Sequence, residues 1–174
     1  MRLRAIEQGD LPLTLQWRND PAARVGLRTP FPLNLDQQEQ FYRDVICNRQ
    51  SAHRYWMLED VAPVGMVGLT NISWENRIGE ISLITDPGLR GKGYGSAGCR
   101  LVLQEAFGVL GLLTVCGECY VENPALGFWQ TMVTRYDGSD TILPRRKFWH
   151  GRLCDGYYFT FAAEQTMPLL DMAA

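Results

Sequence analysis

The stretch Asp86-Pro87-Gly88-Leu89-Arg90-Gly91-Lys92-Gly93-Tyr94-Gly95-Ser96 constrains the fold of this 174-residue chain more than any other segment. Before it, Ile78 to Thr85 reads as a strand. After it, Cys99, Val102, Leu103, Ala106, Phe107 and Leu110 recur at the helical period, with Arg100, Gln104 and Glu105 on the opposite side. A strand therefore feeds a helix through a loop with glycines at alternate positions 91, 93 and 95. Glycine permits positive φ and close backbone approach, so successive N–H groups can converge on one concavity, and the helix N-terminus adds partial positive charge. Such a loop is a pyrophosphate cradle. Its spacing is neither the G-x-x-x-x-G-K-S/T of a Walker loop nor the G-x-G-x-x-G of a dinucleotide loop.

The rest of the chain fits around this unit. Leu3 to Ile6 reads as a first strand. Asp10 is placed to cap a helix that carries Pro12 in its first turn and Leu11, Leu15 and Trp17 on it, and Asn19-Asp20-Pro21 ends that helix. Asn34 and Gln37 form a capping box ahead of a helix that sets Phe41, Tyr42, Val45 and Ile46 on one face. Tyr55 to Leu58 and Val64 to Ser73 are strands, and Glu75-Asn76 turns the second into the strand at Ile78. Further strands are expected at Leu112 to Val121, Arg135 to Trp149 and Tyr157 to Ala162, with a short helix from Pro124 to about Met132. The order predicts one α/β domain over residues 1–174, a mixed sheet of about seven strands with helices on both faces.

Composition narrows the partners. A net charge of −2, with no basic run longer than Arg145-Arg146-Lys147, offers no footprint for nucleic acid or an anionic membrane. No stretch is long and apolar enough to span a bilayer and the N-terminus lacks a signal-peptide pattern, so a cytoplasmic location is expected. Five cysteines read as free thiols. Cys116-Gly117-Glu118-Cys119 matches C-x-x-C, but on a strand residues three apart face opposite sides and no second ligand pair lies nearby, so no metal site is expected. His53 and His150, the only histidines, read as surface residues beside a strand and in a hairpin turn.

Arg90, Gly93 and Gly95 fill the coenzyme A pyrophosphate pattern of the GNAT N-acetyltransferases, Gln/Arg-x-x-Gly-x-Gly/Ala, and the chain resembles that superfamily over nearly its whole length. Leu15 to Pro21, Thr70 to Arg77 and Gly151 to Asp155 look like the branch that acetylates nucleotide-linked amino sugars of the pseudaminic-acid pathway. Spermidine and ribosomal-protein N-terminal acetyltransferases are its neighbours. The resemblance implies a sheet splayed in its middle with the pantetheine arm of acetyl-CoA in the gap. It implies that the backbones of Ile84 and Thr85 bond the pantetheine amides and those of Arg90, Gly91, Lys92, Gly93, Tyr94, Gly95 and Ser96 take the pyrophosphate. Asn123 matches the asparagine that bonds the pantetheine arm; read from the residues alone it is also a good helix N-cap. The resemblance allows a homodimer and requires no metal.

The family places a tyrosine seven residues after that asparagine, to protonate the leaving thiolate. Position 130 is Gln130, and allowing one deletion aligns Trp129 instead; Val133-Thr134 also replace the usual Gly-Phe. Neither indole nor neutral amide can act as an acid. Water, Tyr120 or Tyr136 remain as proton sources, or the protein is an acyl-CoA-binding module with weak transfer. Acetyl transfer to an amine by direct attack in a ternary complex needs a neutral amine, an oxyanion donor, for which the backbone N–H near Ile84 is the candidate, and a departing thiolate. Glu80, on the strand entering the loop, is the candidate base, acting directly or through water; the competing reading pairs it with Arg77 or leaves it at a solvated strand position. The expected acceptor is a small-molecule amine, a nucleotide-linked amino sugar ahead of a polyamine or a protein amine. Its cleft is expected from Arg24 to Asn34 and Thr134 to Trp149.

Overall fold

A computed structural model describes residues 1–149 and 151–171; His150 lies outside the described residues. Its seven strands are β1 (Arg2–Arg4), β2 (Arg54–Glu59), β3 (Pro63–Ser73), β4 (Ile78–Thr85), β5 (Thr114–Tyr120), β6 (Ser139–Trp149) and β7 (Arg152–Ala162). They form one sheet in the order β1-β2-β3-β4-β5-β7-β6. Neighbours run antiparallel except β4 and β5, which are parallel. The helices are α1 (Leu11–Asn19), α2 (Pro21–Arg24), α3 (Leu35–Phe41), α4 (Tyr94–Gln104), α5 (Leu126–Arg135) and α6 (Ala163–Asp171). α3 and α4 each continue into one wider turn, Tyr42–Ile46 and Glu105–Val109. The expected mixed α/β architecture is present, and no helix among the described residues is long and apolar enough to cross a membrane.

Alternation along the strands builds two cores. On β2, Met57 enters a small cluster with Ile6 and Trp17, while Leu58 enters the main core with Val67, Leu69 and Ile81. The apolar stripe of α4, Cys99, Val102 and Leu103, is fully buried in the main core, with Ala106 just beyond it. Each such side chain contributes about 1.5–3 kcal/mol by leaving water, which is why α4 lies flat on the sheet and its N-terminus is held at the end of β4.

Several local expectations change in the folded chain. Asp10 does precede α1, but its carboxylate caps no α1 N–H. It accepts from Glu7 N at 2.8 Å and pairs with both terminal nitrogens of Arg4. After the break at Asp20, that residue caps the short α2, accepting from Ala22 N and Ala23 N. The Asn34–Gln37 capping box forms reciprocally at 2.9 Å. α5 runs on to Arg135, so the following strand starts at Ser139 rather than Arg135, and β7 starts five residues earlier than expected. α6 was not anticipated: Pro168 lies inside it and argues for a break. Burial overrides that cost, with Thr166 and Leu170 packed inside and Thr166 Oγ1 donating to Tyr136 O at 3.1 Å.

Candidate functional site

β4 and β5 pair only at Ile78↔Thr114, Gly79↔Val115 and Glu80↔Cys116. Beyond Glu80 the strands diverge, and the β4 edge from Ile81 to Thr85 has no strand partner on that side. A cavity of about 1000 Å³ fills the divergence. It runs from the glycine loop, past Ile81 to Thr85, to Glu80, under a roof from α1, α3 and the segment after α2.

At the loop end, Asp86 Oδ1 accepts from Gly88 N at 2.8 Å and Pro87–Leu89 makes a single 3-10 turn. Gly91 and Gly93 then adopt φ of +78° and +84°, and Gly93 is the residue that caps α4. A β-carbon on either would meet open space, so their backbone faces outward into room that a ligand can enter. No side chain caps the first turn of α4, leaving its N–H groups to an anion. Gly95 has a different reason to be small: a β-carbon there would sit 3.3 Å from the Phe128 ring of α5. Cradle and unpaired strand edge fit a pyrophosphate with a pantetheine arm. Of the candidate cofactor residues, Ile84, Thr85, Arg90, Gly91, Gly93, Tyr94, Gly95, Ser96 and Asn123 line the cavity; Lys92 is exposed and does not.

Asn123 does not cap α5, whose capping residue is Ala125. Its Oδ1 accepts from Ala125 N at 2.9 Å and its Nδ2 donates to Gly26 O at 3.2 Å, tying the segment after α2 to the cavity wall. Trp129 lines the cavity, stacked on Phe159 with ring centroids 4.7 Å apart, whereas Gln130 is exposed. Of the two aligned positions, the indole and not the amide faces the gap, beside Phe128 of the same helix. Tyr136, expected as one proton source, is buried in the main core edge-on to Phe161 and lines neither cavity.

At the other end of the gap, Glu80 has one-sixth of its side chain exposed and a full set of partners. Arg28 donates to both of its oxygens, and Asn71 Nδ2 donates to Oε2 at 3.0 Å. The expected partner Arg77 is elsewhere: it turns at φ +57° and donates to Gly111 O at 2.7 Å. Asn71 reaches Glu80 because β3 bulges between Thr70 and Ser73, with Asn71 at φ +50°, a conformation asparagine tolerates. His53 supports the bulge, its Nδ1 accepting from Asn71 N at 3.2 Å.

A second cavity of about 380 Å³ adjoins, lined by Arg28, Glu80, Cys116, Glu118, Tyr120, Arg146 and Tyr158. Glu118 accepts from Arg146 at 3.2 and 3.3 Å. An irregularity in β6 between Leu143 and Lys147 delivers that arginine, and Lys147 beside it lies 3.9 Å over the Tyr120 ring and donates to Leu27 O. Burial pushes the Cys116 thiol up, and Tyr158 up to about 12. Cys116 is therefore a poor nucleophile and Tyr158 stays protonated. Burial likewise raises Tyr120. Cys116 and Cys119 face opposite sides of β5. Burial opposes the charge of Arg28, but its contact with Glu80 and the fields of Glu118 and Tyr120 more than restore it. Arg18, half-buried in the large cavity near Tyr55, has no carboxylate partner among the described residues.

Sequence reasoning singled out Glu80 and two stretches that contain Arg28 and Arg146, without singling out those two residues, and did not point to Arg18, Asn71 or Glu118. Bulges in β3 and β6 and a contact spanning 52 positions bring Asn71, Arg146 and Arg28 to the two carboxylates.

A parallel-paired gap that opens beside an anion cradle at a helix N-terminus fits the coenzyme A-dependent acyltransferases that the sequence resembles. The chain belongs to the acetyltransferase (GNAT) domain family, whose model matches residues 1–127, and it is an N-acetyltransferase with acetyl-CoA as acyl donor. It is 28% identical over 127 residues to a spermidine N(1)-acetyltransferase of Vibrio cholerae serotype O1, a match spanning 71% of this chain and 72% of the relative. Among solved structures, it resembles a spermidine N-acetyltransferase from Vibrio cholerae in complex with CoA and spermine, with a TM-score of 0.84 at 24% identity over 95% of this chain and 97% of that one. Mutant forms of a spermidine/spermine N-acetyltransferase from the same organism give 0.78 at 25% identity, covering 96% and 97%.

Proposed function

We propose that the acceptor is a small cationic amine of the polyamine class, with Glu80 as the base. The observation that carries this reading is the pair of carboxylates, Glu80 and Glu118, at the mouth of the β4–β5 gap, each of which already holds a positively charged guanidinium. The same carboxylates can hold an ammonium. The 28% identical relative, named a spermidine N(1)-acetyltransferase, supports the polyamine over the nucleotide-linked amino sugar that the motif pieces first suggested. Acetyl-CoA supplies the activated acetyl group: the amine nitrogen bonds the thioester carbon, the C–S bond breaks, and amide, CoA thiol and one proton result. Glu80 removes a proton from the ammonium so that nitrogen has a free pair. The unpaired β4 edge near Ile84 supplies the backbone donor for the oxyanion. Trp129 excludes water from the gap but gives no proton. Tyr120 and Tyr158 line the smaller cavity beside Glu80, and water can serve the thiolate as well.

One observation favours a second reading. Arg18 lines the large cavity with no carboxylate paired to it among the described residues, which suits an acceptor that carries an anion, such as a nucleotide-linked amino sugar. Acetyl-CoA consumption measured with spermidine, spermine, a nucleotide-linked 4-amino sugar and N-terminal peptides separates the readings. The polyamines are expected to give the highest kcat/KM. Turnover confined to the amino sugar overturns the first reading.

A further inference from the structure

We propose that Arg28 occupies the acceptor's own cation subsite, and that an acceptor enters by exchanging its ammonium for this guanidinium on Glu80. The inference rests on the cationic-acceptor reading and adds the residue that sets its selectivity.

Three features carry it. Arg28 engages both oxygens of Glu80 at the point where β4 and β5 part, so an ammonium that is to bind those oxygens competes with the guanidinium for them. Arg28 is also displaceable. It lies between α2 and α3 with about half of its side chain exposed, while its neighbours are fixed: Gly26 O is held by Asn123 and Leu27 O by Lys147. The backbone is pinned and the side chain can leave into water. Finally, Glu80 accepts three hydrogen bonds, two from Arg28 and one from Asn71, so an ammonium that takes over the Arg28 bonds leaves the carboxylate fully partnered.

Charge decides which acceptors succeed. Glu80 and Glu118 are neutralised by Arg28 and Arg146 in the resting site. An ammonium that replaces Arg28 keeps this balance, whereas a neutral group leaves a half-buried carboxylate without its partner, which is costly. The site thus selects amines that bring positive charge.

The test is Arg28→Ala, with Arg28→Lys as the conservative variant, in steady-state assays with spermidine and with a neutral-chain monoamine. CoA titration and thermal midpoint verify that each variant folds. For Arg28→Ala the KM for spermidine is expected to fall about twofold to fivefold, the scale of a half-exposed ion pair, with kcat within about twofold. Arg28→Lys, which keeps a charge but not the two-pronged contact, is expected to fall between. A spermidine KM that is unchanged or higher in Arg28→Ala, with the wild type turning spermidine over, overturns the exchange and makes Arg28 structural or acceptor-binding. Absence of spermidine turnover in wild type and variant alike, with another amine accepted, instead removes the cationic-acceptor reading on which the exchange depends.

Discussion

Glu80→Gln separates a base from a structural ion pair, because the two roles predict effects of different size. Glutamine preserves the shape of the side chain, and its carbonyl can still accept from Asn71 and one nitrogen of Arg28. Its amide then faces the other Arg28 nitrogen, donor against donor, so one of the two Arg28 contacts is lost. Since Arg28 is half-exposed, that loss costs about 0–1 kcal/mol, a fall in Tm of no more than about 2–4 °C for a chain of this length. Loss of a general base lowers kcat by about 10²–10⁴-fold, which is roughly 3–5 kcal/mol on the barrier. The rate effect therefore exceeds the stability effect severalfold. Stopped-assay kcat for spermidine acetylation between pH 6 and pH 10 measures it, with calorimetric CoA affinity as the control (about unchanged). The deficit is expected to shrink as pH rises, because more of the amine is then already neutral. A variant whose kcat stays within about threefold of wild type, with a superimposable pH–rate profile, refutes the base assignment.

Gly93→Val puts a branched side chain at φ +84°, costing about 1–2 kcal/mol of backbone strain and lowering Tm by roughly 2–8 °C. Because a β-carbon there meets only open space within the protein, loss of CoA binding by calorimetry reports what approaches from outside, and unchanged affinity in the folded variant refutes the cradle. Trp129→Tyr places a hydroxyl on the gap side of α5. Turnover is expected to be kept or raised, with Tm a few degrees lower from the smaller ring against Phe159, and a large loss of kcat with intact CoA binding overturns this view of α5.

What could be read from sequence follows the range over which each feature is encoded. The cradle is local: alternate glycines between a period-two strand and a period-3.6 helix specify it within eleven residues, and β4 runs from Ile78 to Thr85 as its pattern indicates. The Asn34–Gln37 box is local in the same way. The acceptor end is not. Arg77 is the cation nearest Glu80 along the chain, but its left-handed turn sends it to Gly111, and the actual partners come from Arg28 and from an asparagine re-aimed by a bulge. Strand pattern gives no warning of a bulge, because it predicts which face a residue takes only while the register holds. α6 is not encoded locally in the same way: Pro168 lies inside it, where a proline ordinarily disfavours helix, and tertiary burial holds it.

The three-residue pairing of β4 with β5 has a mechanical consequence. The sheet is two half-sheets stitched by a few rungs, β1 to β4 on one side and β5, β7 and β6 on the other. A ligand that bonds the open edge of β4 while resting against β5 takes the place of the missing rungs, as an added strand does at any exposed edge. An acyl donor bound along that edge would act as a temporary structural member of the sheet, and its departure would remove a splint as well as a product.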